Sequence, residues 1–206
     1  MISLLQLLKE TQSQKILIPR RSPEERQKNH IIAINKQIQE YIKNGSKGDL
    51  DLNNTPIKQL PPNLTKVGGG LNLHNTPIKE LPNDLQVGDY LNLDNTQISQ
   101  LPHSLVKVEG YLDLADSKIE KLPDNLQVGD DLNLFNTQIT LLPNNLKVKG
   151  DLDLRYSKIE KLPDNLQIGG SLNLYNTPIT HLPDNLKVGG NLSLHTTPIK
   201  TLPNNL

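Results

Sequence analysis

The stretch LNLFNTQITLLPNNLKV, residues 132–148, decides the fold because its pattern recurs along most of the chain. The general form is L-x-L-x-x-[TS]-x-I-x-x-L-P-x-x-L. The step between copies is 20 residues, except for two steps of 21 in which one extra residue precedes the Gly-rich turn. A fixed period of this length predicts a solenoid of stacked coils. Its eight copies begin at Leu50, Leu71, Leu91, Leu112, Leu132, Leu152, Leu172 and Leu192.

Each copy contains one short strand signal and one proline signal. The two Leu of L-x-L alternate with period two, so both point to one face of a half-buried strand. The proline that follows the third Leu has no amide donor, which predicts a polyproline-like segment or a turn on the far side of the coil. These prolines are Pro61, Pro82, Pro102, Pro123, Pro143, Pro163, Pro183 and Pro203.

On this pattern the chain resembles the leucine-rich repeats, in particular the short bacterial class with a Leu-Pro signature that occurs in effector proteins. The resemblance covers residues 50–206. It implies an α/β solenoid: a right-handed superhelix, a parallel concave sheet of about eight short strands, an irregular or polyproline-like convex side and an N-terminal helical cap.

One column departs from that family. Most members place an inward Asn after the strand, whereas this chain has Thr or Ser. A hydroxyl both donates and accepts, so we expect this column to serve backbone groups of adjacent coils. Its members are Thr55, Thr76, Thr96, Ser117, Thr137, Ser157, Thr177 and Thr197.

The composition excludes several kinds of site. With no Cys, the chain has no disulfide, thiolate zinc site or cysteine nucleophile. No phosphate-binding loop, dinucleotide Gly motif or paired metal-type His appears. We therefore predict no catalytic residues, no cofactor and no resident metal. Residues 1–10 lack the features of a secretory signal and no apolar run is long enough for a membrane span. These features favour a soluble protein, cytoplasmic or delivered without a classical signal peptide.

Residues 1–47 differ from the repeats and are predicted to form a helical capping segment, with the solenoid at 48–206. They carry nine Lys/Arg against four Asp/Glu, which leaves thirteen against eighteen in the rest of the chain. Ser22, Pro23 and Glu25 form a capping box, and the apolar stripe that follows ends at Asn44-Gly45. We predict a helix over 23–43, a weaker helix over 2–10 and an extended connector over 11–21. The stripe comprises Ile31, Ile34, Ile38, Tyr41 and Ile42.

The basic residues of this segment do not predict a nucleic-acid site. No aromatic residue interleaves with them, and the repeats are acidic. A solvated helix face is the preferred interpretation, and a contact between head and body of neighbouring protomers is an alternative. The cluster consists of Arg20, Arg21, Arg26 and Lys28.

Three outward columns accompany the strands, and the resemblance places them on the concave surface. The middle column lies between the two Leu and is almost entirely Asx, which fits either hydrogen bonding along the stack or binding. It comprises Asp51, Asn72, Asn92, Asp113, Asn133, Asp153, Asn173 and Ser193. The entry column, before the first Leu, comprises Asp49, Gly70, Tyr90, Tyr111, Asp131, Asp151, Ser171 and Asn191. The exit column, after the second Leu, comprises Asn53, His74, Asp94, Ala115, Phe135, Arg155, Tyr175 and His195.

Aromatic and acidic side chains in these columns define the predicted partner-binding set. Exposed aromatics are common interface anchors, although stacking on one another is the alternative. Four carboxylates lie on three adjacent strands, and their mutual repulsion needs an offsetting positive charge from Arg155, from a basic partner or from Ca²⁺ or Mg²⁺. They are Asp113, Asp131, Asp151 and Asp153. The set is Tyr90, Asn92, Asp94, Tyr111, Asp113, Asp131, Asn133, Phe135, Asp151, Asp153, Arg155 and Tyr175.

The leading functional hypothesis is a non-catalytic protein-binding module with a basic protein partner. One alternative is an assembly component that self-associates through an uncapped last coil and the opposed charges of head and body. A second alternative is carbohydrate binding, because aromatic platforms beside Asx suit sugars. Neither nucleic acid nor a membrane is an expected partner.

Overall fold

The computed structural model describes residues 22–203. The predicted weak helix over 2–10 and the connector over 11–21 lie outside the described residues. Within the described part the chain forms one helix, α1, followed by strands β1 to β15 of two residues each. No helix in this part is long and apolar enough to cross a bilayer.

Helix α1 spans Pro23–Lys43, with both ends where the sequence predicts them. At its start, the Ser22 hydroxyl accepts from the Glu25 amide at 3.1 Å, and the Ser22 amide donates to Glu25 Oε2 at 3.0 Å. At its end, Gly45 has a φ of +82°, a left-handed conformation that Gly adopts without steric cost.

The L-x-L segments form one parallel sheet of eight strands, which confirms the predicted solenoid of stacked coils. Neighbours are paired in register, so that Leu71 lies opposite Leu91 and Leu112 opposite Leu132. The strands are β1 (Leu50–Asp51), β3 (Leu71–Asn72), β5 (Leu91–Asn92), β7 (Leu112–Asp113), β9 (Leu132–Asn133), β11 (Leu152–Asp153), β13 (Leu172–Asn173) and β15 (Leu192–Ser193).

A second parallel ladder, which the sequence reading did not predict, runs through the segment before each Gly-rich turn. It is split into a pair (β2, β4) and a group of five (β6 to β14). The Pro-bearing segments between the two ladders form no strand or helix beyond two isolated bridges. The strands are β2 (Lys66–Val67), β4 (Gln86–Val87), β6 (Lys107–Val108), β8 (Gln127–Val128), β10 (Lys147–Val148), β12 (Gln167–Ile168) and β14 (Lys187–Val188).

The core is a continuous column of Leu, Ile and Val from stacked coils. In the fifth coil, Leu132, Leu134 and Ile139 have no exposed surface. Burying such a side chain contributes roughly 1.5–3 kcal/mol. Ordering a coil of about twenty residues costs at least as much as its own apolar contacts return, at about 1–2 kcal/mol per residue, so each coil depends on its neighbours.

The Thr/Ser column lies inside the core, but its hydrogen bonds differ from the expectation. The Thr137 hydroxyl donates to the carbonyl of Leu134 in its own coil at 2.8 Å, and Thr96 donates to Leu93 in the same way. The prediction that this column bonds to adjacent coils is therefore wrong. Main-chain pairs already connect the coils, and each Thr hydroxyl of the column bonds the carbonyl three residues back in its own coil. The Ser157 hydroxyl is buried without a partner.

Helix α1 covers the first coil through its predicted stripe. Ile34 and Ile38 are buried in the same core cluster as the repeats. The Tyr41 hydroxyl donates to the Gly48 carbonyl at 2.8 Å and accepts from the Gly68 amide at 3.2 Å. These contacts are those of a cap, while the exact division at residue 47 stays a prediction.

Candidate binding face

The outward side of the eight-stranded sheet, called the sheet face here, carries the entry, middle and exit columns. A fourth column follows the exit column by one residue and has left-handed backbone in every coil, with φ between +51° and +59°. Asn and Asp tolerate this conformation best among non-Gly residues. This left-handed column comprises Asn54, Asn75, Asn95, Asp116, Asn136, Tyr156, Asn176 and Thr196.

The middle column has a structural role in seven of the eight coils. Its Asx Oδ1 accepts a hydrogen bond from the amide two residues later in the same coil. The Asp94 amide donates to Asn92 Oδ1 at 3.0 Å, and the Phe135 amide donates to Asn133 Oδ1 at 3.1 Å. The bonds do not run along the stack, as one interpretation of the sequence held. Because Asn makes the same bond as Asp, the second carboxylate oxygen of Asp113 is not needed for the turn.

The entry column forms a ladder from coil to coil. Asp131 Oδ1 accepts the Asp151 amide at 2.6 Å, and Asp151 Oδ1 accepts the Ser171 amide at the same distance. The Ser171 hydroxyl accepts the Asn191 amide at 3.1 Å. Main-chain amides thus account for one oxygen of each of these two aspartates. At Gly70, Tyr90 and Tyr111 the column provides no such acceptor.

A stacked tyrosine pair occupies that interruption. The rings of Tyr90 and Tyr111 lie 4.9 Å apart between centroids, with planes 6° from parallel. The Tyr90 ring lies so close above Gly70 that a Cβ there would overlap it. Tyr111 remains 36% exposed. Partial burial raises the pKa of both tyrosines, and nearby Asp49 and Asp113 contribute to the rise.

A second aromatic group runs across the later coils. Tyr156 makes edge-to-face contacts with Phe135 and Tyr175, at ring-centroid distances of 5.4 Å and 5.3 Å. The Tyr175 ring stacks on the His195 ring at a centroid distance of 5.5 Å. Tyr156 was not in the predicted set, because it lies one residue beyond the exit column. The sequence did single it out, because it is the aromatic residue in a column whose other members are Asn, Asp and Thr.

Tyr156 also interrupts an amide ladder in the left-handed column. Asn75 Nδ2 donates to Asn54 Oδ1 at 2.7 Å, and Asn95 Nδ2 donates to Asn75 Oδ1 at 2.9 Å. No such bond joins Asn95 to Asp116, but Asn136 Nδ2 donates to Asp116 Oδ1 at 2.6 Å, and no bond of this kind follows in the described coils after Asn136. Both aromatic groups therefore stand where a side-chain ladder of the solenoid is broken.

One ion pair and one contact between a His and an Asp lie on the sheet face. Arg155 donates from Nε and Nη2 to the Asp153 carboxylate, the closer contact at 2.6 Å, and this pairing raises the pKa of the Arg155 guanidinium. The same guanidinium lies 5.3 Å from the Phe135 ring centroid. His74 Nδ1 lies 2.9 Å from Asp94 Oδ2. Arg155 is thus the offset for Asp153, as one of the three interpretations proposed.

The remaining carboxylates are not gathered into a metal site in the described residues. No group of three or more His, Asp or Glu converges there. Asp113 lies partly buried, which raises its pKa above the ordinary value, although its hydrogen bond from the Ala115 amide lowers it.

The sheet face is acidic while the rest of the repeat body is not. Its entry, middle and exit columns hold seven Asp and one Arg, which is −6. The other eleven Asp/Glu and twelve Lys of residues 48–206 sum to +1, since that part contains eighteen and thirteen in total. On the second ladder, exposed Lys and Gln alternate from β2 to β14. The molecule therefore presents two faces of different charge.

In-register coils of about twenty residues, a Leu-lined parallel sheet and a capping helix define a leucine-rich-repeat solenoid. The structure is similar to that of YopM, a leucine-rich effector protein from Yersinia pestis, with a TM-score of 0.52 and 17% identity over 82% of this chain. The match covers 60% of the YopM chain, so this chain spans less than two thirds of it. A leucine-rich-repeat protein of Leptospira interrogans matches 75% of this chain and 56% of its own, with a TM-score of 0.39 and 20% identity.

No family model matches the sequence, and no curated protein sequence matches it. The structural similarity to YopM establishes the fold, while the function has to be argued from the residues of the sheet face.

Proposed function

We propose that this protein is a non-catalytic protein-binding module that captures a protein partner on its sheet face. The observation that carries the proposal is that both aromatic groups replace residues that would stabilise the solenoid. Tyr90 and Tyr111 occupy the entry column, where Asp131, Asp151 and Ser171 accept inter-coil hydrogen bonds. Tyr156 occupies the left-handed column, where Asn is the usual residue.

These replacements have a cost for folding. A hydrogen bond of the entry-column type contributes roughly 0.5–1.5 kcal/mol, and that contribution is absent at the two tyrosines. A bulky residue with positive φ is strained, and such strain concentrates at functional sites. The other coils show that the fold has cheaper residues for the same positions. A partner that binds the exposed rings supplies a reason for retaining them.

The charge of the sheet face favours a basic partner. Seven Asp against one Arg attract a positively charged surface and accelerate its association. Arg155 neutralises Asp153 only, so the other Asp of the three columns keep their charge, among them Asp113 and Asp131 beside Tyr111.

Self-assembly is a second candidate, and the opposite charges of the two faces favour it. The Lys residues of the second ladder could meet the sheet face of another copy, which would give a head-to-tail contact. Light scattering at micromolar concentration and at two salt concentrations tests this candidate. A strict monomer under both conditions removes it.

The test of the leading proposal is capture by matched variants. The sheet-face variant combines Tyr111→Ser with Tyr156→Asn, each substitution placing the residue that another coil has in that column. The control variant combines Lys107→Gln with Lys147→Gln, which follows the Gln of adjacent coils on the second ladder. Tagged proteins are incubated with extracts, and captured proteins are identified and then purified for calorimetry.

We expect wild type and the control variant to bind the purified partner equally, and the sheet-face variant to bind at least tenfold more weakly. Equal binding by all three would refute the proposal. A glycan array that shows sugar binding lost in the sheet-face variant would favour the carbohydrate alternative instead.

A further inference from the structure

We infer that the open ring face of Tyr111, together with Asp113 and Asp131, is the seat for an arginine or lysine side chain of the partner. The inference rests on the proposed function, and it adds the chemistry of one anchor group. It concerns the part of the sheet face formed by the third, fourth and fifth coils.

The stack leaves a single ring face open. One face of Tyr90 lies on the bare backbone of Gly70, and the other lies on Tyr111. Tyr111 therefore uses one face for Tyr90 and turns the other toward the fifth coil. The entry-column residue there is Asp131, which has no ring to cover it. This accounts for the exposure of Tyr111 next to a partly buried Tyr90.

Two aspartates are neighbours of Tyr111 in the sheet register. Asp113 stands in the middle column of the same strand, two residues after Tyr111, and Asp131 stands beside Tyr111 in the next coil, where its carbonyl accepts the Leu112 amide at 2.9 Å. Each uses Oδ1 for a main-chain amide, Ala115 for Asp113 and Asp151 for Asp131. The second oxygen of Asp131 makes no hydrogen bond to the described residues, while the Asp113 carboxylate also has the Asn133 side chain as a hydrogen-bonding neighbour.

Among the described residues, the three columns of the sheet face leave no Lys or Arg for this place. The sheet face has one Arg in its three columns, and that Arg155 is bound to Asp153. His74 is bound to Asp94. An aromatic face bordered by carboxylates attracts a flat or polarisable cation, with Arg favoured over Lys because the guanidinium stacks on rings and donates to carboxylates at once.

A point-charge metal ion fits the arrangement less well. Ca²⁺ takes about six to eight oxygen ligands and Mg²⁺ an octahedral set that includes several waters, and no group of three or more acidic or His side chains converges among the described residues. The ring face would add nothing to the binding of such an ion in water. The observations therefore favour an organic cation on a protein segment.

The experiment uses a labelled octapeptide of alternating Arg and Gly as the probe, with a peptide in which citrulline replaces each Arg as the neutral control. Fluorescence anisotropy measures binding to the full chain at low ionic strength. Three variants are compared. Tyr111→Leu removes the ring. Asp113→Asn keeps the turn bond that Asn92 and Asn133 make. Asp131→Ser keeps the ladder bond that Ser171 makes.

A fourth variant controls for general charge. Asp124→Asn removes an exposed carboxylate in the Pro-bearing turn, away from the sheet face, and follows Asn144 of the next coil. We expect the Arg peptide to bind more tightly than the citrulline peptide, and binding to weaken about two- to fivefold in Tyr111→Leu. Asp113→Asn and Asp131→Ser should each weaken it by a similar factor, while Asp124→Asn leaves it within error of wild type.

Equal binding of the Arg and citrulline peptides would overturn the inference. So would equal losses in Asp124→Asn and Asp113→Asn, because they would mean unspecific attraction, or an unchanged affinity in Tyr111→Leu. Failure of the cation seat at Tyr111 is distinguishable from failure of the proposed function. A partner whose calorimetric affinity drops with Tyr156→Asn alone would still bind the sheet face without a cation at Tyr111.

Discussion

Tyr156 and Asn136 occupy the same position in successive coils, and both have left-handed backbone, with φ of +59° and +52°. The solenoid geometry sets this conformation, because all eight coils share it whatever the residue. Asn is suited to it, while Tyr is not. The chain therefore tolerates strain at the centre of its second aromatic group.

The strain predicts that Gly is more stabilising than Ala at position 156, the reverse of their usual order. Tyr156→Gly and Tyr156→Ala both remove the ring contacts, but only Gly adopts positive φ without steric cost. We expect the Gly variant to melt about 2–4 °C above the Ala variant. Thermal denaturation followed by circular dichroism measures the difference.

The control for that order is Gln37, an exposed residue within α1. There Gln37→Gly should be less stable than Gln37→Ala, because Gly is the poorer helix former. An Ala variant at position 156 that is as stable as the Gly variant would contradict the assigned backbone conformation.

The Thr/Ser column predicts opposite outcomes at two neighbouring coils. Thr137→Val keeps the side-chain shape but leaves the Leu134 carbonyl without its hydroxyl donor, which should cost about 1–2 kcal/mol. Ser157→Ala removes a buried hydroxyl that has no partner, so it should leave the stability unchanged or raise it. Urea denaturation measures both. Equal losses would mean that the Ser157 hydroxyl is in fact bonded.

Asp113 predicts a pH-dependent stability. Burial raises the pKa of its carboxyl in the folded state, so its contribution to stability is fully present below the unfolded pKa and is lost as the pH rises through the folded pKa. At neutral pH the charged carboxylate is therefore unfavourable. Asp113→Asn, which preserves the bond to the Ala115 amide, should raise the melting temperature at pH 7.

The advantage of Asp113→Asn should shrink as the pH falls below about 4, where wild type also carries a neutral group. Asp124→Asn, at an exposed position, serves as the reference and should show no comparable gain. A stabilisation that stays constant between pH 3 and pH 7 would contradict the electrostatic explanation. If it does follow the pH, the chain keeps a destabilising charge beside Tyr111, as expected of a binding residue.

The contact between the helix and the first coil depends on one hydroxyl. Tyr41→Phe removes the bonds to the Gly48 carbonyl and the Gly68 amide while keeping the packed ring. We expect a loss of about 1 kcal/mol. Hydrogen exchange should show faster opening in the first coils and no change near β13, since coils interact with their neighbours only. Uniform acceleration along the chain would mean that the solenoid unfolds as one unit.

The sequence was sufficient for features that depend on local chemistry or on periodicity. The capping box and Gly45 set the ends of α1, and the Leu pairs set the eight-stranded sheet. Regular spacing was enough here, because identical backbone segments that stack in register must pair.

Other features could not be read from the sequence. Each strand of the second ladder has at most one buried residue, such as Val67 or Val87, so it lacks the pair of alternating Leu that marks the strands of the eight-stranded sheet. Whether Asn133 bonds along the stack or within its own coil depends on side-chain rotamers, as does the direction of the Thr137 hydroxyl. The contact of Tyr156 with Phe135 and Tyr175 follows from a left-handed backbone that turns the ring toward the exit column.

The division of the sheet face into ladder residues and ring residues is therefore a structural result. Asp131 and Asp151 belonged to the predicted binding set, and the structure gives one oxygen of each a role in the ladder. Tyr90 and Tyr111 were predicted as neighbours, and their stacking matches the alternative interpretation as well as the preferred one. Binding by this set stays a proposal.

Hydrogen exchange of the full chain, with and without its purified partner, shows directly whether the partner occupies the sheet face. Bound partner should slow exchange of the amides of Tyr90, Tyr111 and Asp131, for which the structure shows no acceptor in the entry column, and leave the second ladder unchanged. Protection confined to the second ladder or to helix α1, with none on the sheet face, would contradict binding by the sheet face.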